Sequence, residues 1–329
     1  MTVDRKQSEP GAQPVVVVTG PTGGGKTALS IELCRRFDGE VVNADSMQVF
    51  RFMDIGTAKP SLEERAAAPH HLFDIATPDQ RFSAGLFAEK ARAAAKVIHQ
   101  RGRVVFLTGG TGLYIRAFLS GLIAGGEADP ELREALEREH AEGVADGEPG
   151  RLHRKLQRLD PEAAERIHPN DARRVIRALE IQGQSGAPAS ELRAKHNFSD
   201  RPYATLHLAI DPGKEVLKQR LEKRCQAMID AGLLQEVRKL REMGYGADLR
   251  PMKAIGYRHI NPVADGSDTL ANAVVEMQRD TCRFAGRQRT WIRAVPEAEW
   301  LEPQNPDAIY RRVEEFLKSG SRAQPVTSR

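Results

Sequence analysis

Val15–Val18 is an uninterrupted β-branched run, the pattern of a strand buried on both faces of a parallel sheet. It leads into "GPTGGGKT" (20–27) and then "TALSIELCRRF", where Leu29, Ile31, Leu33 and Phe37 supply the apolar positions of a helix. "EVVNADS" (40–46) and "RVVFLTGG" (103–110) predict a second and third strand. The alanine-rich "SAGLFAEKARAAAKVIHQRG" (83–102) predicts a helix between them. Strands alternating with helices imply an α/β fold, a P-loop NTPase-like parallel sheet with helices on both faces. The glycine-rich loop then falls beyond the carboxyl end of the first strand, where such sheets place ligands.

The pattern changes near "GLIAGGEADP". From Asp129 to Gln184 it is helical, punctuated by Pro130, Pro161 and Pro169, and "GQSGAPAS" closes the stretch. Asp160-Pro161 fits an N-cap followed by proline in the first helical turn. "ATLHLAI" returns to strand character. Asp211-Pro212 then starts a long helix with Leu217, Leu221, Cys225 and Met228 on one face, and a second helical region spans 272–293. The expected organisation is an α/β core from 14–124 and 202–302, a helical insertion at 125–201, and flexible tails at 1–13 and 319–329.

Composition adds little to this picture, but charge distribution adds more. The 329 residues are 40% hydrophobic and 29% charged, ordinary for a soluble globular protein. No apolar run approaches the ~20 residues of a membrane span, and the N-terminus lacks the apolar stretch of a secretory signal. Cys34, Cys225 and Cys282 are far apart, without metal-ligand spacing, and read as reduced thiols of a cytoplasmic protein. The net charge is only +4, yet basic residues gather in "RLHRKLQR", "DARRVIR", "KQRLEKR" and "RDTCRFAGRQRTWIR". Such clusters suit a polyanionic partner, although solvated helix faces account equally well for any one of them.

The chemistry-bearing residues begin with Gly20, Pro21, Thr22, Gly23, Gly24, Gly25, Lys26 and Thr27. The glycines let successive backbone N–H groups face phosphate oxygens. Lys26 adds charge, and Thr27 a hydroxyl suited to a phosphate-bound Mg²⁺. ATPases of this class usually hold Mg²⁺ with an Asp ending a hydrophobic strand. Here "VVFL" runs instead into Thr108, Gly109, Gly110 and Thr111, with no carboxylate. The carboxylate at the end of the second strand is Asp45, a turn former, Mg²⁺ ligand or general base. Gln48 offers an amide that can pair with an adenine edge. Arg220 and Arg224 share one helix face and either clamp a diphosphate or are solvated. Arg279, Arg283 and Arg287 form a one-sided row within the five arginines of 279–293, a nucleic-acid-like surface. Trp291 is read as buried rather than stacked on a base, and His70 and His71 as packing or surface residues.

Together these stretches resemble the bacterial tRNA dimethylallyltransferase (isopentenyl transferase) family. The resemblance is carried in order by "GPTGGGKT", "NADSMQVF", "MDIGTAKP", "PHHLFDI", "FLTGGTGLYIRAFLSGL", "DPEAAERIHPNDARRVIRALE", "AIGYRHI" and "GRQRTWIR". It implies transfer of a dimethylallyl group from dimethylallyl diphosphate to N6 of the adenine 3′-adjacent to the anticodon, releasing diphosphate. In that reading the 20–27 loop, with Arg220 or Arg224, holds the diphosphate. Mg²⁺ is the cofactor, held at Thr27 and partly through diphosphate and water. Asp45 is the base, with Thr111 across the site.

The tRNA contacts it implies are Asp45, Ser46, Met47, Gln48, Thr111, Arg133, Arg173, Arg174, Val175, Ile176 and Arg177. Later in the chain they are Lys253, Gly256, Tyr257, Arg258, Arg287, Gln288, Arg289, Trp291 and Arg293. The helical insertion is then a tRNA-contacting part of a monomer with no membrane association. Phe50 replaces the family's usual tyrosine, Phe52 a small residue, and Gly286 a common basic one. A small-molecule kinase, a nucleotide-switched RNA-binding module, and a prenyltransferase acting on free adenine nucleotides are the competing readings. The helical insertion and the late arginine row favour tRNA.

Overall fold

β1 (Gln13–Thr19) carries the Val15–Val18 run at the centre of a sheet, completely buried on both faces. The computed structural model describes residues 12–122, 129–196 and 202–321. The remaining strands are β2 (Gly39–Asn43), β3 (His70–His71), β4 (Val104–Gly109), β5 (Tyr203–Ile210) and β6 (Ala298–Leu301). They form a six-stranded sheet in the order β3-β2-β4-β1-β5-β6, with every pairing parallel. Between β1 and β4 lie α1 (Lys26–Phe37), α2 (Leu62–Ala67) and α3 (Ala84–Gln100), and α4 (Gly112–Ser120) follows β4.

Alternation along β1 divides the core in two, because successive strand residues face opposite sides. Val15 and Val17 pack with Phe87 and Ile98 of α3 and Tyr114 and Phe118 of α4. Val16 and Val18 pack on the other face with Leu29 and Leu33 of α1. This is the P-loop-type α/β architecture, with helices on both faces.

The chain forms two compact units. One comprises the residues up to Leu119 together with those from Arg201 onward; the other is Ser120–Asp200. The second unit is helical: α5 (Pro130–Ala145), α6 (Arg151–Leu159), α7 (Pro161–Arg166), α8 (Ala172–Ser185) and α9 (Ala189–His196). Leu136, Leu152, Leu156, Val175 and Leu179 form its own core. Asp160 caps α7 by accepting the Ala163 N–H at 3.0 Å, with Pro161 in the first turn.

After β5 come α10 (Lys214–Asp230), α11 (Leu233–Glu242), α12 (Tyr257–Ala264), α13 (Leu270–Arg293) and, beyond β6, α14 (Pro306–Ser321). The core outlined from the sequence ended at 302, yet Ile309 and Val313 of α14 are completely buried against the α1 face of the sheet. Of the expected C-terminal tail, Ser319–Ser321 end this helix. Residues 1–11 and 322–329 of the expected tails, and 123–128 and 197–201 at the ends of the insertion, lie outside the described residues. Among the described residues no helix is long and apolar enough to cross a membrane.

Candidate active site

Parallel strands bring the loops after β1, β2 and β4 to one edge, since Thr19 aligns with Gly109 and Asn43 with Thr108. The first of these loops depends on its glycines. A Cβ on Gly20 would lie 2.3 Å from the Ile210 carbonyl oxygen of β5, so a larger residue would force the strands apart. Gly25 caps α1 with φ at +95°, a left-handed conformation that favours glycine. Lys26 Nζ donates to the carbonyls of Gly20 at 3.1 Å and Pro21 at 2.9 Å, which folds the lysine back under its own loop. Burial pushes its pKa down to about 8. Asp45 opposes that shift and Arg224 adds to it.

Asp45 sits in the turn after β2. Its Oδ1 accepts the Met47 N–H at 2.8 Å and, at 3.4 Å, that of Gln48, and its own N–H donates to Asn43. One carboxylate oxygen thus fixes the turn, and Asp45 lines the same cavity as Lys26 and Thr27. The Gln48 amide nitrogen donates to the carbonyls of Thr57 and Ala58, both at 3.1 Å, which leaves its oxygen as the acceptor it presents. That partner loop is itself held from a distance. Glu236 of α11 accepts N–H groups from Asp54, Ile55 and Gly56 at 2.8–3.1 Å and the Tyr257 hydroxyl at 2.6 Å.

The loop after β4 supplies hydroxyls and backbone where a carboxylate is often found. Thr108 Oγ1 lies 2.8 Å from Ser30 Oγ, and both residues line the cavity. Thr111 Oγ1 accepts the Ser46 N–H at 3.0 Å and donates to Ser46 Oγ at 3.3 Å, tying this loop to the Asp45 turn. Arg224 also lines the cavity, which has a volume of about 420 Å³. Burial lowers the Arg224 pKa, with Asp45 opposing. Arg220 is exposed, and its guanidinium lies 3.8 Å from a Cβ built on Gly25, outside the lining. Sequence spacing left these two arginines equivalent; the fold turns Arg224 inward.

Several residues expected at an RNA surface lie elsewhere. Val175 and Ile176 are buried in the helical unit's core, as apolar positions of α8. Tyr257 is completely buried with its hydroxyl on Glu236, and Gly256 forms the turn before α12 at φ +93°. Gln288 is only 6% exposed and bonds to two active-site loops, and Arg289 pairs with Asp211. Trp291 packs over Gly112, where a Cβ would come within 2.1 Å of the indole. The outward set consists of Arg173, Arg174, Lys253, Arg258, Arg287 and Arg293. Within the helical unit, Arg133 and Arg177 both pair with the buried Glu180, at 3.7 and 3.3 Å. The α13 row is less free of acids than its spacing implied, because Arg258, Arg279 and Arg283 all contact Asp280.

Sequence reading missed the roles of Glu236 and Gln288. A signal existed for Gln288, which occupies the buried stripe Ala273, Met277, Thr281, Ala285, Gln288, Ile292 of α13. An amide on such a stripe needs internal partners.

A family profile described as IPP transferase matches residues 48–295. The tRNA dimethylallyltransferase of Desulfatibacillum aliphaticivorans is 45% identical over 309 residues, covering 94% of this chain and all of that protein. The crystal structure of the full-length tRNA isopentenylpyrophosphate transferase of Bacillus halodurans superposes with a TM-score of 0.70 at 37% identity, covering 94% of this chain and 98% of that one. A eukaryotic dimethylallyltransferase solved acting on tRNA gives a TM-score of 0.80 at 27% identity, covering 96% of this chain and 81% of that one. With the site motifs in order and the likeness running nearly end to end, the chain belongs to the IPP transferase family.

Proposed function

We propose that the protein transfers a dimethylallyl group from dimethylallyl diphosphate to N6 of the adenine 3′-adjacent to the anticodon of tRNA. The observation that carries this reading is the cavity itself, whose lining combines Lys26, Thr27 and Arg224 with Asp45 and Gln48. The first group suits a diphosphate and the second an adenine amino group. The exocyclic nitrogen attacks the allylic carbon as the carbon–oxygen bond to diphosphate breaks, and that bond's electron pair leaves with the diphosphate. Asp45 orients the amine and takes the proton the nitrogen must lose. Lys26, Arg224 and the N–H groups of the loop stabilise the negative charge growing on the leaving group. The Gln48 amide oxygen is oriented to accept a hydrogen bond from an adenine edge.

Mg²⁺ fits this donor set. Among the described residues no three carboxylate, histidine or cysteine side chains converge. An ion held by the Thr27 hydroxyl, phosphate oxygens and water matches the hydration Mg²⁺ retains. It would supply further charge neutralisation to the diphosphate.

The outward arginines support an RNA partner over a free nucleotide. Lys214, Arg283, Arg287 and Arg293 line an open cleft of about 800 Å³ beside α13. The protein acts as a monomer in the cytoplasm, a setting that suits its three free cysteines. The test is incubation with Mg²⁺ and labelled dimethylallyl diphosphate, with either unmodified tRNA or AMP, beside an ATP-consumption control. Label should enter tRNA at adenine. Label in AMP alone, or ATP turnover without prenyl transfer, would overturn the reading.

A further inference from the structure

Gln288 is the buried residue whose side chain joins two loops of the site. Its Oε1 accepts the Thr22 N–H at 2.8 Å, and its Nε2 donates to the Gly110 carbonyl at 3.1 Å. The polarity of those backbone groups fixes the amide's orientation, because an N–H requires an acceptor and a carbonyl a donor. The fit is close: a Cβ on Gly110 would come within 2.1 Å of Nε2. Thr281, the other polar residue on the same buried stripe, bonds within its own helix to the Met277 carbonyl. Gln288 alone of that pair spends its polar atoms on the site.

The two anchors belong to opposite sides of the proposed reaction. Thr22 is in the phosphate loop. Gly110 precedes Thr111, whose hydroxyl holds Ser46, the neighbour of Asp45. A continuous path therefore runs from the phosphate loop through Gln288, Gly110, Thr111 and Ser46 to Asp45. It also assigns the Thr22 N–H to Gln288, leaving phosphate oxygens to the N–H groups further along the loop.

We propose that Gln288 is a positioning residue for prenyl transfer, a brace that sets the distance between the diphosphate-holding loop and the turn carrying the base. The inference rests on the function proposed above. Transfer between two bound reactants is sensitive to displacements of about an ångström, which can cost ~100-fold in rate. Neither end of the brace can be replaced by a residue that only donates or only accepts.

The test compares the parent with Gln288→Met, similar in length without hydrogen bonds, and Gln288→Glu. Single-turnover transfer is measured at saturating donor and tRNA, alongside tRNA affinity and the melting temperature. Gln288→Met should transfer about 10- to 100-fold more slowly with tRNA affinity within about twofold of the parent. For Gln288→Glu, the ratio of its rate to the parent's should rise as pH falls from about 8 to about 5.5. Over that range a buried carboxyl, its pKa raised by burial, takes up its proton and regains a donor for Gly110. A folded Gln288→Met variant with a rate within about twofold of the parent overturns the brace. If that variant does not fold, a Gln288→Glu ratio that is flat with pH overturns it. A parent that transfers no label defeats the proposed reaction instead. The brace is then decided by hydrogen exchange at the Thr22 amide, protected in the parent and released in Gln288→Met, or in Gln288→Leu where Gln288→Met does not fold, if Gln288 holds it, and equal to the parent's if it does not.

Discussion

Asp45 illustrates what a residue's neighbours add to its position in the chain. Its place after β2 was legible because a carboxylate followed a buried strand. Its division of labour was not, since that depends on which oxygen the turn consumes. With Oδ1 engaged by the Met47 N–H, Asp45→Asn preserves the turn and removes the proposed proton acceptor. Single-turnover transfer should fall by about 10²- to 10⁴-fold while tRNA binding, followed by filter retention, stays near that of the parent. Lys26 gives a pH signature. Its ammonium is charged below a pKa of about 8 and neutral above it, so kcat/KM for the diphosphate donor should decline as pH rises through about 8. Lys26→Arg, charged throughout, should lose that alkaline limb even if its overall rate is lower. The sign for stability is opposite. A lysine whose pKa is lowered on folding destabilises the protein below about 8, and the penalty is relieved as pH rises toward its unfolded value. The choice between Arg220 and Arg224 escaped the sequence because both lie on one helix face, and only the packing of α10 decides which guanidinium meets the cavity.

Elements were legible in proportion to how much of their own length they use to signal burial. β1, β2, β4 and β5 are runs of β-branched and apolar residues and stood out. β3 is two residues long and β6 four, too short for a period to register, and both owe their strand geometry to a neighbour already in place. The Glu236 clamp was illegible for the same reason in reverse: its backbone partners lie about 180 residues away. On α13, Gly286 is exposed in the helix interior and an added Cβ there meets nothing within 4 Å. Gly286→Ala should therefore stabilise the protein by about 0.5–1 kcal/mol, read as a raised denaturation midpoint with an unchanged slope. A loss of stability would mean that the open space is used by something the helix contacts.

On the scale of the whole molecule, a net charge of +4 conceals a cationic cleft beside the candidate site. Binding of tRNA should weaken with salt, each neutralised phosphate contributing about 0.7–0.9 log units of affinity per decade. Replacing both Arg287 and Arg293 by glutamine should reduce that slope by about two such contributions, measured as affinity against salt concentration. An unchanged slope would place the RNA elsewhere on the surface. Part of this scale was available from sequence, because strands alternating with helices imply a parallel sheet covered on both faces, whereas the insertion of β4 between β1 and β2 was not. Nor was the contribution of α14 to the core, since nothing local marks Ile309 and Val313 as partners of a strand formed early in the chain. α13 carries a constraint of another kind. An α-helix turns about 100° per residue, and this one presents arginines outward while Gln288 reaches inward to Thr22 and Gly110. Inserting or deleting one residue between Arg279 and Gln288 would swing one set away from its target whichever end stayed fixed. Related chains are thus free to vary the identity of outward residues here but not their number, so gaps in an alignment should fall in connections such as 244–250 and spare this helix.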